Sequence, residues 1–188
     1  MKSCLRSFNI YLLAAAALAG GCSSNHFSMR KEYSTLRVYL EGPPGESSLV
    51  YVTRAKTPMY VGAEPFLTEE DVSKARLVDN PDGTFDIQVT FNDHGGLVLD
   101  MTTTSNRGRH LVIFSHFPPK GWKQPQESGA DSVEKPEPGK PRVAGWLAAP
   151  LIRTGLSNGS LKFTPDASHD EAERIVRGLN NMVSDLDK

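Results

Sequence analysis

Apolar residues recur at every second position in several short stretches of this chain. The clearest is residues 85–91, in which four apolar side chains alternate with polar ones. This two-residue period is typical of a strand with one face on the core and the other in water, as in antiparallel sheets. Residues 111–114 are continuously apolar and predict a central strand. The remaining predicted strands are residues 35–40, 49–53 and 59–61, before the first helix, and a pair within residues 145–153 and 161–163.

Three helices are predicted, each beginning after a residue that can cap it. The first spans about residues 68–76 and starts at Thr68, with Asp71 at the position that completes a capping box. The second starts after Asn92 and the third after Ser168. Their predicted buried positions are Leu97, Val98 and Met101 in the second helix, and Ala172, Ile175, Val176, Leu179, Met182, Val183 and Leu186 in the third. These elements predict an α+β fold in which about three helices pack on one face of a mainly antiparallel or mixed sheet.

Residues 1–21 have the features of a secretory signal peptide. Lys2 and Arg6 precede an apolar run at residues 10–18, which is shorter than the roughly 20 residues that a membrane-spanning helix needs. Small residues then lead to Cys22. We therefore expect the chain to be exported from the cytoplasm.

Residues 18–22 resemble the bacterial lipobox, in which the cysteine is lipidated on its thiol and becomes the new N-terminus. We therefore expect Cys22 to anchor the protein to the cell envelope through its lipid, facing the periplasm. Ser23 follows the cysteine, and by resemblance to lipoprotein sorting this favours the outer membrane if the cell has one. The alternative is a cleaved protein that is free in the periplasm.

The rest of the chain is predicted to be a flexible tether, residues 22–34, followed by a single domain, residues 35–188. Within that domain, residues 118–141 hold six of the chain's thirteen prolines and few large apolar residues. Such a composition predicts a mobile insert, because burial cannot offset its ordering entropy. Phe117 and Trp122 are candidate partner contacts on this insert. The alternative is that these aromatic side chains pack onto the base of their own loop.

Charge and residue chemistry exclude several classes of function. Removal of Lys2 and Arg6 with the signal leaves 19 basic residues against 22 acidic ones, which gives no support to nucleic-acid binding. The chain has two cysteines, one in the signal and the other at the lipidation position, so a disulfide or thiolate site in the domain is excluded. Ser115 and His116 are neighbours on a strand and should point to opposite faces. We expect no enzymatic activity, no cofactor, no metal and no small-molecule substrate.

Several short motifs occur in an order that resembles one known family. They are residues 65–72, 91–96, 103–109, 111–114 and 148–152, followed by a capped helix containing Glu171-Ala172 and Leu179-Asn180. This order is similar to that in the head subdomain of the first periplasmic domain of SecD/SecDF, the membrane partner of the Sec translocon. The resemblance covers about residues 60–182, and the Pro-rich segment stands where the family has a tight hairpin.

The resemblance implies a non-enzymatic domain outside the cytoplasmic membrane. Its expected partners are exported or unfolded polypeptides, Sec components or other envelope proteins, in addition to the membrane reached through the lipid. A second hypothesis is an envelope structural or assembly protein that uses the same fold to hold one folded partner. In that case the Pro-rich segment would be the arm that reaches the partner.

Overall fold

The structure, a computed structural model, describes residues 31–53, 55–117 and 144–186. Within these ranges the chain forms nine strands, two α-helices and one 3-10 turn. The strands are β1 (Arg37–Leu40), β2 (Ser48–Val52), β3 (Thr57–Val61), β4 (Leu67–Thr68), β5 (Val72–Asp79), β6 (Phe85–Phe91), β7 (Leu111–His116), β8 (Ala144–Ala148) and β9 (Ser160–Phe163). The 3-10 turn spans Glu69–Asp71, and the helices are α1 (Asp93–Ser105) and α2 (His169–Leu186). The predicted signal peptide, Cys22 and the Pro-rich segment with Trp122 lie outside the described residues.

The strands form three antiparallel sheets, which confirms the predicted α+β class. Their orders are β4-β1-β7-β8, β5-β6-β9 and the two-stranded β2-β3 hairpin. The hairpin is tied to the four-stranded sheet on both sides. The Gly42 N–H donates to the Tyr60 carbonyl over 2.8 Å, just beyond β1, and the Thr53 N–H donates to the Trp146 carbonyl of β8 over 3.3 Å. The hairpin therefore lies over one face of that sheet.

Strand β7 is central, as its apolar run predicted, and it is buried on both faces. Leu111 and Ile113 belong to the main core, which also receives side chains from the β5-β6-β9 sheet and from both helices. Val112 points the other way and packs with Val52 and Met59 of the hairpin in a second, smaller apolar cluster. Because neighbouring residues of a strand face opposite sides, two cores share this one strand.

The predicted first helix, residues 68–76, is wrong. The capping box between Thr68 and Asp71 is present, but the turn that it starts lasts only three residues before β5 begins. β5 pairs with β6 along its length, with an irregularity between Val72 and Lys74 that turns Ala75 toward the core. Pairing with a distant strand thus overrides the local helix signal. The described residues contain two α-helices instead of about three.

Helix α1 starts where predicted but buries a different face. The Asn92 side chain accepts a hydrogen bond from the Gly95 N–H over 2.8 Å, as a cap should. Leu97 and Met101, predicted to be buried, are 61% and 62% exposed. The cause is Gly95: a Cβ added there would lie 2.8 Å from the Cβ of Asp71. This close approach turns the glycine side of the helix inward, so that the buried positions are Gly95, Leu99 and Thr103.

Strands β8 and β9 were predicted as a pair, and they lie in different sheets. β8 pairs with β7, and β9 pairs with β6. After β8 the chain continues beside the start of β7, where the Leu111 N–H donates to the Pro150 carbonyl and the Ile152 N–H to the Arg109 carbonyl. No tight turn therefore returns the chain alongside β8.

Helix α2 confirms its capping box and most of its buried stripe. The Ser168 N–H donates to the Glu171 carboxylate over 2.7 Å, and the Glu171 N–H to the Ser168 hydroxyl over 3.3 Å. Ala172, Ile175 and Leu179 are buried, whereas Leu186, also predicted to be buried, is 58% exposed at the helix end. Neither helix of the described ranges has the length and apolar content needed to cross a bilayer.

The folded domain begins earlier than the predicted boundary at residues 34 and 35. Ser34 is 1% exposed and lies against Gly178 of α2, where an added Cβ would be 2.6 Å from the Ser34 nitrogen. The Asn181 side chain donates to the Glu32 carbonyl over 2.9 Å. Residues 31–34 are therefore part of the domain and not of a tether, and the rest of the predicted tether lies outside the described residues.

One side chain of α2 closes the outer edge of β5. The Asn180 carboxamide accepts a hydrogen bond from the Ala75 N–H and donates one to the Ala75 carbonyl, each over 2.9 Å. A neighbouring strand would make this same pair of bonds. Asn180 thus both joins helix to sheet and blocks a free edge.

We expect Asn180→Ala to lower the free energy of unfolding by about 1 to 2 kcal/mol, because it leaves both outward groups of Ala75 without their partner. Urea denaturation of the full chain measures the change. Asn181→Ala is the matched control on the same helix, since it removes one hydrogen bond and should cost about half as much. Equal losses in the two variants would contradict a special role for Asn180.

Candidate functional site

A cleft of about 420 Å³ opens where the hairpin meets the end of the four-stranded sheet. One wall is formed where β1 ends, β7 begins and β8 ends, and the other wall is the tip of the hairpin. The lining residues are Glu41, Val52, Thr53, Thr57, Pro58, Met59, His110 and Ala149. Four of these residues are apolar and four are polar, and Glu41 and His110 are the ionisable ones among them.

Glu41 and His110 form a pair. The Oε2 of Glu41 accepts from the His110 backbone N–H over 2.9 Å and lies 2.8 Å from Nδ1 of the ring. The Glu41 carbonyl accepts from the Arg109 guanidinium, which also donates to Asn106 over 2.6 Å. Partial burial raises the pKa of Glu41, but the hydrogen bonds from His110 outweigh it, so this pKa lies below its usual value of 4.5. The structure thus holds an ionised carboxylate at the cleft.

The face of the hairpin that points away from the sheet is also apolar. Leu49 and Tyr51 are 48% and 59% exposed. Their cross-strand partners are Tyr60 and Pro58, which share the same face. We call these four residues the hairpin outer face. Exposed apolar groups that cluster in this way mark interaction surfaces more often than singly scattered ones do.

The hairpin outer face rests on a second apolar layer. The inward residues of the hairpin pack against Val112 and, at the edge of the cluster, Tyr39 and Trp146. The Trp146 ring lies 5.3 Å from that of Tyr39 and 5.1 Å from that of Phe114, in tilted and edge-to-face arrangements. Such aromatic contacts hold the layer in place. The exposed side chains therefore stand on a packed support.

The predicted partner contacts differ in their placement. Phe117 is fully buried in the main core, with the Arg174 guanidinium 5.9 Å from its ring centre, so its side chain is not available to a partner. Trp122 and Cys22 lie outside the described residues. Ser115 is buried and His116 exposed, as expected for neighbours on a strand.

The hairpin outer face and the Glu41–His110 pair were not among the predicted sites. Residues 49–52 are continuously apolar, and in a short hairpin this pattern leaves one apolar face in water. That signal was available. Glu41 and His110 are 69 positions apart, so only the fold brings them together.

Among the described residues, one group could bring three metal-ligand atoms together. His169, Asp170 and Glu173 lie at the start of α2, all exposed. The His169 ring already faces Asp79 and Glu173, at 3.4 and 3.6 Å. The arrangement is that of surface ion pairs.

Comparison with known proteins gives a likeness in structure alone. No protein-family model matches the chain, and no curated protein sequence matches it. A solved structure of SecDF, described as a membrane component that enhances protein export, has a TM-score of 0.51 and 17% identity, covering 79% of this chain and 63% of that one. SecDF in a super-membrane-facing form gives the same score and identity over 79% of this chain and 19% of that one. SecDF from Thermus thermophilus aligns with a TM-score of 0.43 and 19% identity, over 80% of this chain and 20% of that one.

The described domain therefore has a SecDF periplasmic head-like fold, as its motif order indicated. At this level of identity the likeness is one of fold. The chain spans less than two thirds of the length of these SecDF chains.

We expect Glu41→Gln to lower the free energy of unfolding by about 1 kcal/mol at neutral pH, because glutamine keeps an acceptor but loses the charge that strengthens the bonds from His110. The folded-state pKa of Glu41 lies below 4.5, so its stabilisation is complete above that pH and is lost as the pH falls through the lowered pKa. Urea denaturation from about pH 7 to about pH 3 should show the two proteins converging in acid. A constant difference across that range would contradict the assignment.

Proposed function

We propose that this chain is a non-enzymatic module of the cell envelope that binds extended segments of exported polypeptide. The hairpin outer face is the observation that carries the proposal. It exposes Leu49, Tyr51 and Pro58 to water on a supported surface, with the partly exposed ring of Tyr60 beside them. Aromatic side chains of this kind supply contact area at low entropic cost, which suits binding of many different chains.

The shape of the surface supports an extended ligand. A two-stranded hairpin is long and narrow, and Pro58 belongs both to its outer face and to the wall of the cleft. A polypeptide lying on this face can therefore place one side chain in the cleft. There it would meet apolar side chains and the Glu41 carboxylate, whose Oε1 has no partner within the described part of the chain.

The fold supports a role in export. SecDF, whose periplasmic head has this architecture, is described as enhancing protein export. Fold alone does not determine function. The exposed surface therefore carries the proposal, and the likeness in fold supports it.

Lipidation of Cys22 is the second part of the proposal. A lipid at this position would keep the domain at a membrane surface that faces the periplasm, where exported chains emerge. The described domain starts at residue 31. Residues 22–30 can span at most about 30 Å when fully extended. The start of the described domain would then lie within that distance of the bilayer.

The binding test uses the full chain in lipid nanodiscs and a fluorescent, reduced and carboxymethylated protein as the unfolded probe. We expect micromolar-class affinity, and a loss of at least about fivefold in Leu49→Ser/Tyr51→Ser, because these side chains supply exposed contact area. Fluorescence anisotropy measures the affinity. Stability should change little, since both side chains point into water.

Leu97→Ser/Met101→Ser is the matched control, because these two apolar side chains on α1 are at least as exposed as Leu49 and Tyr51. It should bind as the wild type does. An equal loss in both variants would indicate non-specific apolar adsorption. Binding of one folded envelope protein, with none of unfolded chains, would instead support the assembly-protein hypothesis.

For the anchor, we expect Cys22→Ser to abolish metabolic labelling with a palmitate analogue and to remove the protein from the membrane fraction, because several acyl chains are needed for stable anchoring. Fractionation with in-gel detection of the label measures both effects. A Cys4→Ser variant is the control and should keep label and location. Retention of the label in Cys22→Ser would contradict the proposal.

A further inference from the structure

The two edges of the β5-β6-β9 sheet differ in whether their outward backbone groups are hydrogen-bonded. On β5, the outward N–H and carbonyl of Ala75 are both satisfied by the Asn180 side chain. On β9, the central residue with outward backbone groups is Lys162, one position along from the residue that lies in the row of Ala75. Within residues 31–53, 55–117 and 144–186 neither the N–H nor the carbonyl of Lys162 has a hydrogen-bond partner. One edge is closed and the other is open.

The direction of these groups follows from the pairing. The Phe91 N–H donates to the Gly159 carbonyl, so this pair is hydrogen-bonded. In an antiparallel ladder such pairs recur at every second residue. The next hydrogen-bonded pairs are Val89 with Leu161 and Ile87 with Phe163. Lys162 lies between these pairs, opposite Gln88. Its backbone N–H and carbonyl therefore point away from β6. The same alternation directs Ala75 outward on the other edge, where Asn180 meets it.

The open edge is accessible because the Lys162 side chain is drawn away from it. Its ammonium group lies 3.0 Å from the Asp86 carboxylate on β6, across the exposed face of the sheet. Asp86 is held in turn by the Thr164 hydroxyl over 2.5 Å and by the Asn80 side chain over 3.1 Å. Lysine on an edge strand usually guards it against pairing. Here the ammonium group is paired with Asp86 on the sheet face, and Lys162 as a residue is exposed.

We propose that the outer edge of β9 accepts an extended polypeptide segment as an added strand, centred on Lys162. This inference rests on the proposed function and names one of its sites. The occupant is an extended peptide backbone, because the edge offers one N–H and one carbonyl on a single residue. An amide group already satisfies this same pair on the opposite edge. Recognition through the backbone tolerates many side chains, as a binder of diverse exported chains requires.

The length of β9 sets the strength of the contact. The strand has four residues, and the outward N–H of Ser160 is already bound by the Asn158 side chain over 3.1 Å. The added strand can therefore form two hydrogen bonds with the backbone of Lys162. It can form one more with the Ser160 carbonyl and one more with the Thr164 N–H, on either side of Lys162. Such a contact is short and readily reversed.

The test compares Lys162→Pro with Lys162→Ala in the full chain in nanodiscs. Proline removes the outward N–H but no bond to β6, because Leu161 and Phe163 make those bonds, and edge strands tolerate proline at such a position. Alanine removes the side chain and keeps the N–H. We expect Lys162→Ala to bind the carboxymethylated probe as wild type does, and Lys162→Pro to bind about tenfold more weakly, or about 1.4 kcal/mol.

Amide hydrogen exchange gives a second readout that does not depend on the proline variant. In the wild type the Lys162 N–H should exchange more slowly when the probe is bound, with no change at Ala75. Unchanged exchange at Lys162, or equal affinity of Lys162→Pro and wild type, would overturn the edge proposal and leave polypeptide binding itself intact. Absence of any binding by the wild type would instead defeat the proposed function.

Two further outcomes also overturn the edge proposal. Equal losses in Lys162→Ala and Lys162→Pro would assign the effect to the charge of the side chain. A dimer of the wild type that dissociates in Lys162→Pro would mean that the edge pairs with a second copy of this chain. Sedimentation velocity at several concentrations detects it.

Discussion

The structure depends on the burial of β7 on both of its faces. Leu111, Val112 and Ile113 are each at most 2% exposed, although alternation sends them to opposite sides of the sheet. A strand of this composition is stable only when both faces of its sheet are covered. One cover is the main core, with the second sheet and α2. The other cover is the β2–β3 hairpin, which is therefore a structural requirement of the fold.

The same constraint makes the hairpin outer face informative. Folding requires the inward side chains of the hairpin to be apolar, because they cover Val112. Folding does not require Leu49 and Tyr51 to be apolar, because they point into water and could be polar without loss of packing. Exposed apolar area on a supported surface has a cost in solubility and no benefit for the core. We propose that binding is the reason for this exposed apolar surface.

Local signals predicted the parts of this fold that local physics controls. The alternation in β6, the cap at Asn92 and the capping box of α2 all appear in the structure. The errors arose where distant contacts decide: β5 pairs with β6 despite its helix-start signal, and Gly95 turns α1 because it packs against the Cβ of Asp71. The candidate site was missed for a related reason. The apolar run at residues 49–52 indicated that one face of the hairpin would be apolar and exposed. Which side chains form that face depends on which side of the hairpin meets the sheet, and the run alone does not contain that information.

Photo-crosslinking in living cells tests the central claim most directly. A photoreactive residue at Tyr51 of the full chain should capture a range of exported polypeptides, because the hairpin outer face is proposed to bind extended chains without a strict sequence. The same probe at Leu97, equally exposed on α1, should capture few. A single recurrent folded partner at Tyr51, or equal capture at both positions, would contradict the account.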